Sequence, residues 1–170
     1  MKKVLIMIGL CVSSLFAVNV GEIPKSVTLQ GDAGGLVSGG AWNSSMLEGK
    51  VHAVFYVDPD EKDTNEAVAD ALKNEGFDKS KYATMAIVNL AATWKPNAII
   101  NMLLKAKQKK FPDAMYVKDK HKLLVKEWGL KDDSSDILVF DKEGKLLYSY
   151  AGKLDKSEID KVLALIHSNL

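Results

Sequence analysis

Two acidic clusters, a pair of serines, an isolated tryptophan, three histidines and one cysteine are the side chains of this sequence that could carry chemistry. Asp58, Asp60, Glu61 and Asp63 surround Pro59, and Asp132, Asp133 and Asp136 surround Ser134 and Ser135. Carboxylates supply the hard oxygen donors that calcium and magnesium take. The spacing does not follow the calcium-loop pattern of an EF-hand. The competing role, capping a helix start and matching its dipole, needs fewer assumptions. No metal or other cofactor is therefore assigned. His52, His121 and His167 are too far apart in the chain to read as a metal-ligand motif, and are expected to be structural or surface residues. No Gly-x-Ser-x-Gly nucleophile elbow occurs. No catalytic residue is assigned.

The one cysteine, Cys11, lies in a segment with a different purpose. Lys2 and Lys3 precede an almost unbroken apolar run from Val4 to Phe16, closed by Ala17. Charge, apolar run and small residue are the layout of a secretory signal peptide. The run is shorter than the ~20 residues of a spanning helix. Residues 1–17 are expected to be removed on export, leaving residues 18–170 as one cysteine-free domain with no membrane span. Leu10 is too bulky before Cys11 for a lipid-attachment site.

Loss of Lys2 and Lys3 takes the formal charge from +1 to −1. All basic side chains are lysine, with no arginine to read phosphates or base edges bidentately. That argues against nucleic acid as a partner.

The elements that position these residues alternate. Val51 to Val57 is apolar on both faces and reads as a central strand. A helix follows over 64–75, with Ala67, Val68, Ala71 and Leu72 as its apolar face and Gly76 as its stop. A second buried strand covers 83–90. Pro96 opens the next helix, in which Ile99, Ile100, Leu103 and Leu104 form the expected core stripe. Lys105, Lys107, Lys109 and Lys110 gather at its C-terminal end. The helix dipole favours them there, a reading preferred over a basic docking patch. A short strand over 114–117 and a short helix over 120–128 come next, then a hairpin of 137–140 and 146–150 turning at Asp141-Lys142-Glu143-Gly144. Asp155 and Glu158 form a capping-box pattern for the last helix. Gly31 to Gly40 reads as a loop. The order predicts an α/β fold with a central mixed β-sheet and helices on both faces.

Trp94 sits between the second strand and the helix after Pro96, on the rim where such sheets bind ligands. Folding back over the core is the commoner arrangement. Exposure would make it an anchor for a partner. Trp42 and Trp128 read as structural.

Several words in this order resemble the thioredoxin-like superfamily, in the style of its exported TlpA and peroxiredoxin-related branch. They are Leu47-Glu48-Gly49-Lys50-Val51, Phe111-Pro112-Asp113, Trp128-Gly129-Leu130 and Phe140-Asp141-Lys142-Glu143-Gly144-Lys145. Trp42-Asn43-Ser44, Ala86-Ile87-Val88-Asn89 and Ser134-Ser135 ahead of the hairpin are similar to the YtfJ family of periplasmic proteins. The resemblance implies a thioredoxin-like fold and a periplasmic location, with no established activity. In redox members of the superfamily, a Cys-x-x-Cys motif follows the first core strand and a cis-proline precedes the hairpin. Asp58-Pro59-Asp60-Glu61 and Ser135 occupy those places here. The resemblance also implies that the two acidic loops face each other across one cleft.

The expectation is a non-catalytic periplasmic binding or accessory protein of the cell envelope, neither thiol oxidoreductase nor peroxidase. Its partner is an unidentified periplasmic protein or small ligand. The expected contact surface is Asp58, Pro59, Asp60, Glu61, Asp63, Trp94, Ser134, Ser135 and Asp136. The alternatives are a cysteine-independent or metal-dependent enzyme using the acidic cleft, and a structural subunit of an envelope complex.

Overall fold

The computed structural model describes residues 17–170. The expected signal peptide and Cys11 lie outside the described residues, apart from Ala17. Strands β1 (Thr28–Leu29) and β3 (Trp42–Asn43) form a small antiparallel pair. The main sheet contains β2 (Gly34–Leu36), β4 (Val51–Val57), β5 (Tyr82–Asn89), β6 (Met115–Asp119), β7 (Ser135–Phe140) and β8 (Leu146–Ala151), in the order β2-β6-β5-β4-β7-β8. β4, β5 and β6 run parallel; β2, β7 and β8 are antiparallel to their neighbours.

Helices α1 (Glu66–Glu75), α2 (Asn97–Lys110) and α4 (Lys156–Asn169) cover one face. The N-terminal segment and α3 (Leu123–Trp128) cover the other. Parallel strands joined by helices on the same side follow from the right-handed crossover rule, applied twice through α1 and α2. Val51, Ala53, Ile137 and Val139 meet Val68, Leu72, Val162 and Ile166 on the first face. Val54, Met85, Leu138 and Phe140 meet Trp42, Leu124 and Trp128 on the second, where the two tryptophan rings lie edge-on at 6.3 Å.

The expected elements are present, with informative shifts. The glycine-rich stretch is not only loop: β2 pairs with β6 as an edge strand. Gly34 permits this because a Cβ there would stand 1.9 Å from the Lys118 carbonyl oxygen, at φ +127°. Pro96 is the N-cap residue of α2 rather than inside its first turn. Asp155 caps α4 by accepting from the Glu158 N–H at 2.9 Å, while the Glu158 carboxylate takes the Tyr148 hydroxyl at 2.7 Å. The expected α2 core stripe is halved. Ile100 and Leu104 are buried, but Ile99 and Leu103 are about half exposed, at 48% and 52%. α2 meets the sheet along a narrow line, so a four-residue apolar band exceeds what the sheet can cover.

Candidate functional site

The C-terminal ends of β4, β5 and β6 and the start of β7 share one rim. Asp58 leaves β4 and caps the single turn Pro59–Glu61: its Oδ1 accepts from the Asp60 N–H at 2.9 Å. Pro59 fits there because that position has no backbone acceptor to serve. The Asp58 N–H donates to the Ser134 carbonyl at 2.9 Å, joining the two acidic segments directly. Asp58 is buried. Burial pushes its carboxyl up, opposed by the Asp60 N–H and reinforced by the Asp60 and Asp133 charges.

Asp60 turns outward to the Trp94 loop. It accepts from Lys95 Nζ and, at 2.9 Å, from the Thr93 hydroxyl. Lys95 first, then Thr93, hold its carboxyl below the usual range. Trp94 stands between them and is 86% exposed, so it does not fold back over the core. Glu61 and Asp63 are occupied locally, by Thr64 and Lys62 respectively.

On the opposite side, the Ser135 carbonyl and hydroxyl accept from Asn65 Nδ2 at 3.1 and 3.0 Å. Asp136 is not on the loop surface. It lies in β7, buried, with Oδ2 accepting from the Lys131 N–H at 2.8 Å. Its Oδ1 has no hydrogen-bond partner among the described residues. Burial pushes this carboxyl up, against the pull of the Lys131 N–H and the Ser134 hydroxyl.

Beneath the rim runs a polar row that the sequence reading did not identify. Asp119 ends β6 opposite Asn89 of β5, and Tyr56 of β4 stands opposite Asp136 of β7. All four are buried. Asp119 accepts from the Leu123 and Leu124 N–H groups at 2.9 and 3.0 Å and from the Tyr56 hydroxyl at 3.2 Å. The Tyr56 hydroxyl is pushed up by burial and then by Asp119. Asn89 Nδ2 donates to Asp132 Oδ1 at 2.8 Å, and Lys122 Nζ holds the other Asp132 oxygen. That lysine contact, more than any other, keeps the Asp132 carboxyl low. Lys122 and Asp133, at φ +47° and +50°, are the two left-handed non-glycine residues among the described residues. Both lie at this rim, where such strain commonly marks function.

The structure thus sets Asp58, Pro59, Asp60, Trp94, Ser134 and Ser135 along one rim, leaves Glu61 and Asp63 bonded to Thr64 and Lys62, and places Asp136 within β7. Among the described residues, no group of three or more His, Cys, Asp or Glu side chains is arranged to hold a metal ion. His52 is buried with Nδ1 at 3.0 Å from the Lys50 carbonyl. His121 and His167 pair with Asp32 and Glu75 at the surface.

A mixed sheet of this order, with helices on both faces, defines a thioredoxin-like fold. The pneumococcal exposed lipoprotein thioredoxin Etrx1 from Streptococcus pneumoniae superposes with a TM-score of 0.60 at 16% identity, covering 85% of this chain and 99% of that one. Residues 17–169 match the family described as "Bacterial protein of unknown function (YtfJ_HI0045)", and the chain belongs to that family. An uncharacterized protein of Haemophilus influenzae is 32% identical over 130 residues, 74% of this chain and 70% of that one. Uncharacterized protein YtfJ of Escherichia coli is 26% identical over 132 residues, 76% and 72% of the respective chains. With one cysteine, the chain has no Cys-x-x-Cys pair.

Proposed function

We propose that this protein is a non-catalytic binding or accessory protein of the bacterial envelope, exported to the periplasm, that uses the strand-end rim as its contact surface. The observation that carries this reading is Trp94. A large aromatic 86% exposed, held beside the Asp60–Lys95 pair, is the kind of side chain that anchors a partner. The rim's other groups support binding rather than turnover: Asp60, Asp132 and Ser135 are already committed to protein donors. Export is supported by the charge and apolar run of residues 2–17 and by the likeness to an exposed lipoprotein. A photo-crosslinking residue at position 94, compared with one at the distant turn residue Glu143, tests the surface in periplasmic extract. An adduct specific to position 94 and lost in Asp60→Ala is expected. Equal labelling from position 143 would overturn the placement.

A second reading, acid–base chemistry without cysteine, draws on the raised carboxyls of Asp58 and Asp136. Carboxyl NMR titration tests it. Ordinary titration of Asp58 would remove it.

A further inference from the structure

The α2 helix presents a second surface that the rim does not explain. On a helical wheel at about 100° per residue, Ile100 and Leu104 face the sheet. Ile99, Met102, Leu103 and Ala106 recur at helical spacing on the outer side. Met102 is 63% exposed. Trp94 stands just before this stripe and Phe111 just after it, both exposed. Lys105 and Lys109 flank one edge and Lys107 the other, while Lys110 ends the stripe on its own line and lies over the Phe111 ring at 5.1 Å. The helix contains no acidic residue. No ion pair among the described residues engages any of its four lysines. The positive field continues onto β6, where burial and then the Lys120 and Lys105 charges hold the Lys118 amine down.

We propose that the outer face of α2, from Trp94 to Phe111, docks flat on an anionic phospholipid bilayer. An outward apolar ridge edged by cations, with an aromatic residue at each end, matches an interfacial helix: the apolar side chains enter the acyl boundary while the lysines meet headgroup phosphates. The lysine stems can lie along the boundary with their charges at the headgroups. Among the described residues, no helix is long and apolar enough to cross a membrane, so the contact is a surface one. The charge and shape favour lipid over other occupants. A second copy would oppose four unpaired lysines with four more. A single convex helix offers no groove for a peptide, whereas a bilayer conforms to a ridge. This surface extends beyond the proposed partner site and meets it only at Trp94.

The test uses residues 18–170, which contain every strand of the sheet and all three apolar clusters. The apolar run before them would itself enter lipid. The probes are vesicles of phosphatidylcholine with phosphatidylglycerol, and vesicles of phosphatidylcholine alone. Cosedimentation with the anionic vesicles and at least about tenfold less with the neutral ones is expected. Because Trp42 and Trp128 are buried, a blue shift and quenching by brominated lipid report on Trp94. Met102→Asp, and separately Lys105→Glu with Lys109→Glu, should each lower vesicle binding at least about tenfold while leaving the melting temperature and the position-94 adduct unchanged. No binding to anionic vesicles, equal binding to neutral ones, or wild-type binding by both variants overturns the proposal. So does a dimer in sedimentation equilibrium that Met102→Asp dissolves. Loss of the adduct with vesicle binding intact would instead count against the rim.

Discussion

Asn65 and Ser135 join the start of α1 to the start of β7: the Asn65 amide donates to both the carbonyl and the hydroxyl of Ser135, at 3.1 and 3.0 Å. The same side chain donates to the Gly152 carbonyl at 2.9 Å and accepts from the Leu154 N–H at 3.0 Å. One buried amide therefore joins three segments at the rim: it serves the Gly152 carbonyl and the Leu154 N–H, and adds to the bond that the Ser135 carbonyl already accepts from the Gly152 N–H at 3.0 Å. Asn65 is the N-cap residue of α1, yet its side chain makes no cap bond there. Its role is tertiary.

Asn65→Ala should lower unfolding free energy by about 3 kcal/mol, since buried acceptors and a donor lose their partner together. Asn65→Asp should also be severe at neutral pH, because a carboxylate would face two carbonyl oxygens. Urea denaturation at pH 7 measures both. A change below about 1 kcal/mol for the alanine variant would show that water replaces the amide without loss.

Asp136 gives the pH prediction. Its folded carboxyl is raised by burial above the ordinary 3.8. A raised acid binds its proton more tightly in the folded state. Its contribution is thus fully present below 3.8 and is lost as pH rises through the folded value. Asp136→Asn keeps an oxygen for the Lys131 N–H and removes the charge. The variant should be more stable than wild type at pH 7, by about 1 kcal/mol. That advantage should shrink steadily toward pH 4. Parallel pH-stability curves for the two proteins would contradict it.

Gly34→Ala tests why β2 exists. The added Cβ would meet the Lys118 carbonyl oxygen at 1.9 Å, and the backbone φ of +127° is itself unfavourable for alanine. The expected loss is at least about 2 kcal/mol, with faster amide exchange in β6 but not in β7. Uniformly faster exchange would mean that the edge strand is not a separable unit.

The buried strands and the αL stops at Gly76 and Gly129 were legible in the sequence, because doubly apolar runs and glycine ends are local signals. β2 was not: its glycines read as punctuation, and only the tertiary approach of Lys118 makes them strand residues. The polar row was half-legible. Tyr56, Asn89, Asp119 and Asp136 each sit near the β6–β5–β4–β7 rim, but their convergence depends on strand order and register. Asp58 and Pro59 were singled out because their loop follows the central strand, and Ser134 because the resemblance places it, with Ser135, ahead of the hairpin. Asn65 and Lys122 were missed because nothing local separates an ordinary helix-start asparagine or a surface lysine from one that ties distant segments. The outer stripe of α2 was misassigned because periodicity shows that residues share a face, not how wide a face the sheet can cover.

The three tryptophans separate stability from recognition. Trp128 is buried against Phe140 and Trp42, and its indole N–H donates to the Lys25 carbonyl at 2.8 Å. Trp128→Ala should cost about 3–5 kcal/mol through the cavity and the lost bond. Trp94 is bound by neither constraint, so Trp94→Ala should change stability by less than about 0.5 kcal/mol. If Trp94 is a recognition anchor, that same variant should lose the position-specific partner contact, tested with the crosslinker moved to the exposed Asn97, and should cosediment less with anionic vesicles. A destabilisation comparable to that of Trp128→Ala would mean that Trp94 packs in solution, and the exposed rim would then lose the residue on which its binding role rests.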